Sequence, residues 1–120
     1  VFFTEPRRAH VNIVIIKRLV KLLDQMLYVK LHPLEDKSFY EDVENIEFID
    51  NFDLAIQSNI CISRKSTVLV EALYNDSISI ALLVDKQDEF DYNNSFPSLL
   101  DSKINRCYSF KDLVNKVKNN

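Results

Sequence analysis

The chain is 120 residues long, its formal net charge is −3, and 47% of its residues are hydrophobic. This length and composition fit one folded domain with a modest core and exclude a disordered chain. The acidic balance, without a long basic run, argues against a nucleic-acid partner. No apolar run approaches the roughly 20 residues that a membrane span needs, and no signal peptide is recognisable.

Two residue types restrict the chemistry. The two cysteines, Cys61 and Cys107, lie in apolar strand-like runs, so we expect buried free thiols in a reducing compartment. There is no CxxC motif to suggest structural zinc. Glycine is absent, which excludes the Gly-rich phosphate loops. Turns with positive φ must then use Asn or Asp, and we expect them at Asn75-Asp76, Asn93-Asn94 and Asn119-Asn120.

Apolar periodicity predicts strands that alternate with helices along the whole chain. Strands are expected at 1–3, 27–31, 46–49, 60–62, 78–84 and 104–108. Helices are expected at 9–26, 38–43, 52–57, 68–73 and 110–118, with a short helical turn at 95–100. The polar segment 85–94 is expected to be a mobile loop.

Local signals define several element ends. Ser38 and Glu41 match a capping box, and Ser109 is expected to cap the last helix. The second strand should stop at His32-Pro33, because proline has no N–H and holds the preceding residue extended.

The alternation predicts an α/β, Rossmann-like parallel sheet with helices on both faces, forming one domain over 1–120. Ligands of such sheets bind beyond the carboxyl ends of the strands. Polar groups follow five predicted strands, and we expect all of them on one rim. They are Thr4-Glu5, His32-Pro33, Asp50-Asn51, 63–67 and Asp85-Lys86.

The segment 63–67 supplies three hydroxyls and two cations between a buried strand and an apolar helix. Such a turn leaves the first N–H groups of the helix unpaired, and together with the hydroxyls and the helix dipole they favour a phosphate. The alternative is an ordinary helix cap in which Ser63 or Ser66 bonds to its own helix.

Two motifs stand in order on adjacent strand–helix units: Lys30-Leu-His32-Pro33 and Ser63-Arg-Lys-Ser66-Thr67-Val-Leu-Val-Glu71-Ala-Leu73. The pair resembles the His-Pro and Ser-Ser/Thr motifs of bacterial GT-B glycosyltransferases, above all the lipooligosaccharide sialyltransferases, the polysialyltransferases and the capsule Kdo transferases. The opening segment 2–6 looks like the first strand and turn of the carboxyl-terminal, donor-binding half of that fold. Because the chain begins with Val, we expect it to be a piece of a longer protein.

The resemblance implies a role for each matched residue. His32 would hydrogen-bond a donor phosphate or protonate the departing nucleotide, and Lys30 would neutralise phosphate or merely extend from the sheet to solvent. Ser66 and Thr67 would hold phosphate oxygens, and Glu71 would meet ribose hydroxyls. The expected set is His32 as the catalytic residue, with Thr4, Lys30, Pro33, Ser63, Ser66, Thr67 and Glu71 binding the donor.

In these families the donor is a CMP-sugar, such as CMP-sialic acid, and neither a metal nor a further cofactor is required. The expected partners are the donor, a glycan acceptor and the amino-terminal half of the same chain. That half supplies the acidic motif for the acceptor base, so this piece should bind donor but not turn over alone. The expected location is the cytoplasm, with peripheral association at the inner face of the membrane.

Other readings stay open at this point. Glu71 could be a partly buried carboxylate paired with Lys65 or Arg64. The chain could be a non-catalytic interaction or receiver-like module, in which Asp50 and Lys86 mimic two receiver residues, although no paired acids follow the first strand. It could also belong to a UDP-sugar transferase or an epimerase.

Overall fold

The computed structural model describes residues 1–95, 97–101 and 103–119. The strands are β1 (Phe2–Phe3), β2 (Leu27–Lys30), β3 (Ile46–Phe48), β4 (Ile60–Ser63), β5 (Ile78–Leu82) and β6 (Asn105–Cys107). The α-helices are α1 (Ala9–Leu23), α2 (Phe52–Ile56), α3 (Val68–Tyr74), α4 (Lys86–Asn93) and α5 (Phe110–Lys118). Two 3-10 helices span Lys37–Tyr40 and Pro97–Leu100.

The strands form one six-stranded sheet in the order β3-β2-β1-β4-β5-β6, and every pairing is parallel. The chain builds outward from β1 to β3, then returns to place β4 on the other side of β1. This is the Rossmann strand order, in which the direction of winding reverses between β1 and β4. The predicted α/β, Rossmann-like class is therefore confirmed.

Helices cover both faces of the sheet, as predicted. Phe2 and Ile62 point into a core that includes α1 and Leu113 of α5. Their neighbours Phe3 and Cys61 belong to a separate core with α2 and α3. This separation follows from the strand backbone, because successive side chains point to opposite faces.

Helix α1 ends at Leu23, before the predicted end at 26. Asp24 adopts the left-handed conformation with φ 50°, and its N–H donates to the Val20 carbonyl at 3.1 Å. Positive φ among non-glycine residues occurs at Arg8, Asp24, Asn45 and Asp76. Of the predicted positions only Asp76 is confirmed, because Asn75, Asn93, Asn94 and Asn119 do not have positive φ and Asn120 lies outside the described residues.

One of the two helix caps predicted from the sequence is confirmed. Ser109 caps α5, since its Oγ accepts from the Asp112 N–H at 3.1 Å. The predicted capping box at Ser38 is wrong. There Asp36 accepts from the Ser38 N–H at 2.9 Å, and the segment forms a shorter 3-10 helix.

The segment 85–94, for which the sequence predicted neither a helix nor a strand, forms helix α4. Asp85 caps it by accepting from the Asp88 N–H at 3.1 Å. Asp88 and Tyr92 are fully buried on its inner side. The predicted turn at 95–100 appears as the Pro97–Leu100 helix, while Phe96 lies outside the described residues.

Both cysteines are buried and free, as predicted. Burial raises the pKa of both thiols, which disfavours the reactive thiolate. Within the described part of the chain, no helix is both long and apolar enough to cross a membrane.

Candidate functional site

A cleft of about 660 Å³ opens at the reversal point of the sheet, beyond the carboxyl ends of β1 and β4. Its walls are residues 5–7 after β1, His32 after β2 and residues 65–67 after β4. Asp91 and Asn94 close it from the end of α4. Sites for small molecules commonly have volumes of roughly 300–1,000 Å³, so this cleft can hold a ligand of that class.

The two sequence motifs meet in this cleft. His32, Ser66 and Thr67 all border it. His32 and Ser66 also border a smaller cavity of about 180 Å³, together with Thr4, Lys30 and Pro33. The predicted rim is thus confirmed around His32 and Ser66, which border both cavities, whereas Asp50, Asn51, Asp85 and Lys86 border neither.

Two members of the predicted set border neither cavity. Glu71 lies exposed on α3, so its predicted partial burial is wrong. Its predicted partners, Arg64 and Lys65, instead pair with carboxylates of α4. Ser63 is fully buried, donates to Glu5 Oε2 at 3.2 Å, and accepts from the Ser66 N–H at 3.3 Å.

His32 is held by its backbone and by one ring nitrogen. Its N–H donates to Thr4 Oγ1 at 3.1 Å and to Glu35 Oε2 at 3.3 Å. Its Nδ1 accepts from the Leu34 N–H at 3.1 Å. A neutral imidazole that accepts at Nδ1 carries its proton on Nε2. The Nε2–H is therefore the group that His32 can offer to a ligand.

Sequence reasoning missed the network that supports the His32 loop. Thr4 Oγ1 donates to Glu35 Oε2, while Glu35 Oε1 accepts from the Tyr40 hydroxyl at 2.6 Å and from Asn12 Nδ2 at 3.3 Å. Burial, and then the bond to Glu35, raise the pKa of Tyr40 above its ordinary value, so the phenol stays a donor. Thr4 thus positions His32 and has no free hydroxyl proton for a ligand.

The turn after β4 has most of its backbone N–H groups paired, but the Thr67 N–H donates to none of the described residues. The Lys65 N–H donates to Glu5 Oε2 at 2.7 Å, and the Val68 N–H donates to Ser66 Oγ at 3.2 Å. With the bond from Ser66 N–H to Ser63, this is the ordinary cap that the sequence left open. Thr67 is exposed, and none of the described residues hydrogen-bonds its hydroxyl. Ser66 Oγ only accepts in this turn, so the hydroxyls of Thr67 and Ser66 both keep a proton that can meet a ligand.

The two cations of the turn have different surroundings. Arg64 is fully buried and holds Asp88 through two bonds, Nε–Oδ2 at 2.6 Å and Nη2–Oδ1 at 2.8 Å. Lys65 borders the cleft, with its Nζ 3.1 Å from Asp88 and 2.6 Å from Asp91. Since Asp88 keeps Arg64 as a partner, Lys65 is the cation that can turn towards an anion in the cleft.

Glu5 is a second functional candidate that sequence reasoning left without a role. It borders the cleft yet is only 8% exposed. Burial raises the pKa of Glu5, and the Lys65 N–H and the Arg64 charge oppose that rise. Its position directly after β1 was the available signal. Among the described residues no cluster of three or more potential metal ligands is present.

Comparison with known proteins leaves the function open. No protein-family model matches the chain, and no curated protein is significantly similar to it. The function is therefore argued from the cleft itself.

Proposed function

We propose that the chain is the nucleotide-sugar-binding half of a bacterial glycosyltransferase that builds surface polysaccharide. The observation that supports this best is the meeting of His32 with Ser66 and Thr67 in one cleft at the reversal point of the sheet. Among nucleotide sugars, a CMP-sugar such as CMP-sialic acid is the first candidate, on the motif resemblance.

The chemistry of sugar transfer suits these groups. Breaking the glycosidic bond of a nucleotide sugar leaves negative charge on the departing phosphate. Fixed donors aimed at that charge lower the barrier, typically by a few kcal/mol each. The Nε2–H of His32 and the Thr67 hydroxyl are donors of this kind, and Lys65 can add a positive charge by leaving Asp91. To pass a proton to the departing oxygen, His32 must first be an imidazolium, in which Nδ1 also carries a proton and gives up the bond from the Leu34 N–H.

The rest of the reaction is assigned to the remainder of a longer protein. On this proposal an amino-terminal half supplies the acceptor site and the base that activates the acceptor hydroxyl. Catalysis proceeds without a metal, and the enzyme works in the cytoplasm at the inner face of the membrane. Without that half, this chain binds donor but transfers no sugar.

A receiver-like module is less well supported. Receiver domains have the strand order 2-1-3-4-5, which differs from the order observed here. Asp50, the residue that would mimic the phosphorylated aspartate, instead pairs with Lys37 at 3.0 Å and does not border the cleft. A UDP-sugar as the donor is a rival that the binding experiment decides directly.

Isothermal titration calorimetry with CMP, UDP and CDP tests the proposal. One of the three nucleotides should bind, and His32→Ala should weaken that binding about tenfold, the effect of losing one charge-assisted hydrogen bond. His10→Ala is the matched control, because His10 is exposed on α1 and does not border the cleft.

Two results would count against nucleotide binding at this site: no heat with any of the three nucleotides, or an equal loss in both histidine variants. In the longer protein, His32→Ala should lower the transfer rate by about a hundredfold. Normal turnover there would remove His32 from the mechanism.

A further inference from the structure

Glu5 is a buried carboxylate with one engaged oxygen and one open oxygen. Oε2 accepts both the Lys65 N–H at 2.7 Å and the Ser63 hydroxyl at 3.2 Å. None of the described residues donates to Oε1. No buried side-chain oxygen lacks a partner in the described part of the chain, so Oε1 must be accessible, and the opening beside Glu5 is the cleft.

The open oxygen has an uncommon environment. Glu5 is more than nine-tenths buried, but no Lys or Arg of the described residues forms an ion pair with it. Because Oε1 is reached from the cleft, a ligand that displaces water there must donate a hydrogen bond to it or leave it unpaired at a cost. A hydroxyl can donate that bond, whereas a phosphate oxygen beside Oε1 would be repelled.

Glu5 lies next to the turn to which the proposal assigns the phosphate. Its Oε2 is hydrogen-bonded to the backbone of Lys65, and Ser66 and Thr67 follow directly. In a nucleotide sugar, the phosphate joins the nucleoside ribose to the glycosyl ring, and only the glycosyl ring is missing from the bare nucleotide. Since Glu5, Ser66 and Thr67 border the same cleft, a phosphate held at 66–67 would leave the glycosyl ring room beside Glu5.

We propose that Glu5 makes the cleft selective for a nucleotide sugar over the bare nucleotide, because Oε1 accepts a hydrogen bond from a hydroxyl of the glycosyl group. This inference rests on the proposed function and adds to it the residue that recognises the sugar. Hydrogen bonds to an ionised acceptor are roughly twice as strong as neutral ones. The selectivity that Glu5 contributes should accordingly be about tenfold.

Glu5→Gln is the decisive variant. An amide NH₂ cannot accept from the Lys65 N–H, so the amide oxygen must keep the place of Oε2. The NH₂ then faces the cleft, which exchanges an anionic acceptor for a neutral donor of nearly the same size. Thermal unfolding followed by circular dichroism checks that the variant is folded.

The measurement is the ratio of two dissociation constants, nucleotide over nucleotide sugar, for CMP with CMP-sialic acid and for UDP with UDP-glucose. In Glu5→Gln this ratio should fall about tenfold for the pair that the wild-type chain binds, while binding of the bare nucleotide weakens little or not at all. Glu44→Gln, at an exposed site before β3, is the inert control. Asp91→Asn removes the other acid of the cleft and should leave the ratio unchanged.

The failures are distinguishable. If the wild-type chain binds no nucleotide and no nucleotide sugar, the proposed function fails and this inference with it. If the nucleotide binds but the ratio is unchanged in Glu5→Gln, or falls equally in Asp91→Asn, the role of Glu5 alone is refuted. If Glu5→Gln tightens the bare nucleotide and its sugar equally, Glu5 faces the phosphate, which also overturns the inference.

Discussion

Replacing Arg64 by methionine should destabilise the fold by about 3 kcal/mol, because it leaves the carboxylate of Asp88 buried without its main partner. Breaking a buried ion pair typically costs about 3–5 kcal/mol. The lower end applies here, since Lys65 Nζ remains 3.1 Å from Asp88. The Arg7 carbonyl and the Asn12 amide oxygen would lose the Arg64 Nη1 donor at the same time.

Urea unfolding followed by circular dichroism measures this loss. With a slope of about 1.5 kcal/mol per molar urea, the midpoint should fall by about 2 M. The double variant Arg64→Met/Asp88→Leu should recover most of the stability, because neither charge is then left alone in the core.

Asp85→Asn is the control for Arg64→Met. It keeps a capping side chain on α4 but removes the charge of a partly exposed ion pair, so its effect should be clearly smaller than that of Arg64→Met. A small effect of Arg64→Met, equal to that of the control, would refute the argument. A double variant no more stable than the single one would refute it too.

Two further outcomes follow from local geometry and charge. A hydrogen bond from Arg8 lowers the pKa of Asp85 to about 2. The stabilisation that the ionised Asp85 contributes is therefore complete above the ordinary aspartate pKa and is lost as the pH falls towards 2. Urea midpoints between pH 5 and pH 2 should fall more steeply for the wild type than for Asp85→Asn. Asp24 ends α1 with φ 50°, a conformation that costs glycine little, so Asp24→Gly should raise the free energy of unfolding by about 0.5–1 kcal/mol; an unchanged or lower midpoint in the same assay would contradict this.

The strands and most helices were predictable because their signals are local. The apolar run through Ile60 and Ile62 and the periodic stripe of α1 each identify an element without reference to distant residues. Parallel pairing followed from the alternation of strands and helices. The positive φ at Arg8 was not predictable in this way, because it departs from the expected restriction to Asn and Asp, while Asn45 is of the expected type but was not singled out.

Helix α4 was missed because the interactions that hold it are not local. Its segment is mostly polar and has no apolar stripe, so periodicity favours a loop. In the fold, Asp88 meets Arg64, Asp91 meets Lys65 and Asp85 meets Arg8, with sequence separations of 24, 26 and 77 residues. The capping residue Asp85 was a usable sign of the helix, but the partners of its other acids were not visible in the sequence.

Part of the candidate site was likewise predictable from the sequence, and part of it was not. The rule that ligands bind beyond the carboxyl ends of parallel strands predicted that His32, Ser66 and Thr67 would lie together, and they do. Glu71 was expected at the site, but α3 turns it outward to solvent. Glu5 was predicted to lie on the rim but was given no role. Only the fold shows that one of its carboxylate oxygens accepts hydrogen bonds from the chain and that the other is free to accept one from a ligand.

The most direct test of the central claim uses the fact that the chain contains only two histidines, His10 and His32. Their imidazole resonances can be followed by NMR while CMP, UDP or CDP is added to the wild-type chain. Binding in the cleft predicts that the His32 signals shift in a saturable way with one of the three nucleotides, while those of His10 stay in place. If the His32 signals do not move with any nucleotide, or move only together with those of His10, the cleft is not a nucleotide site.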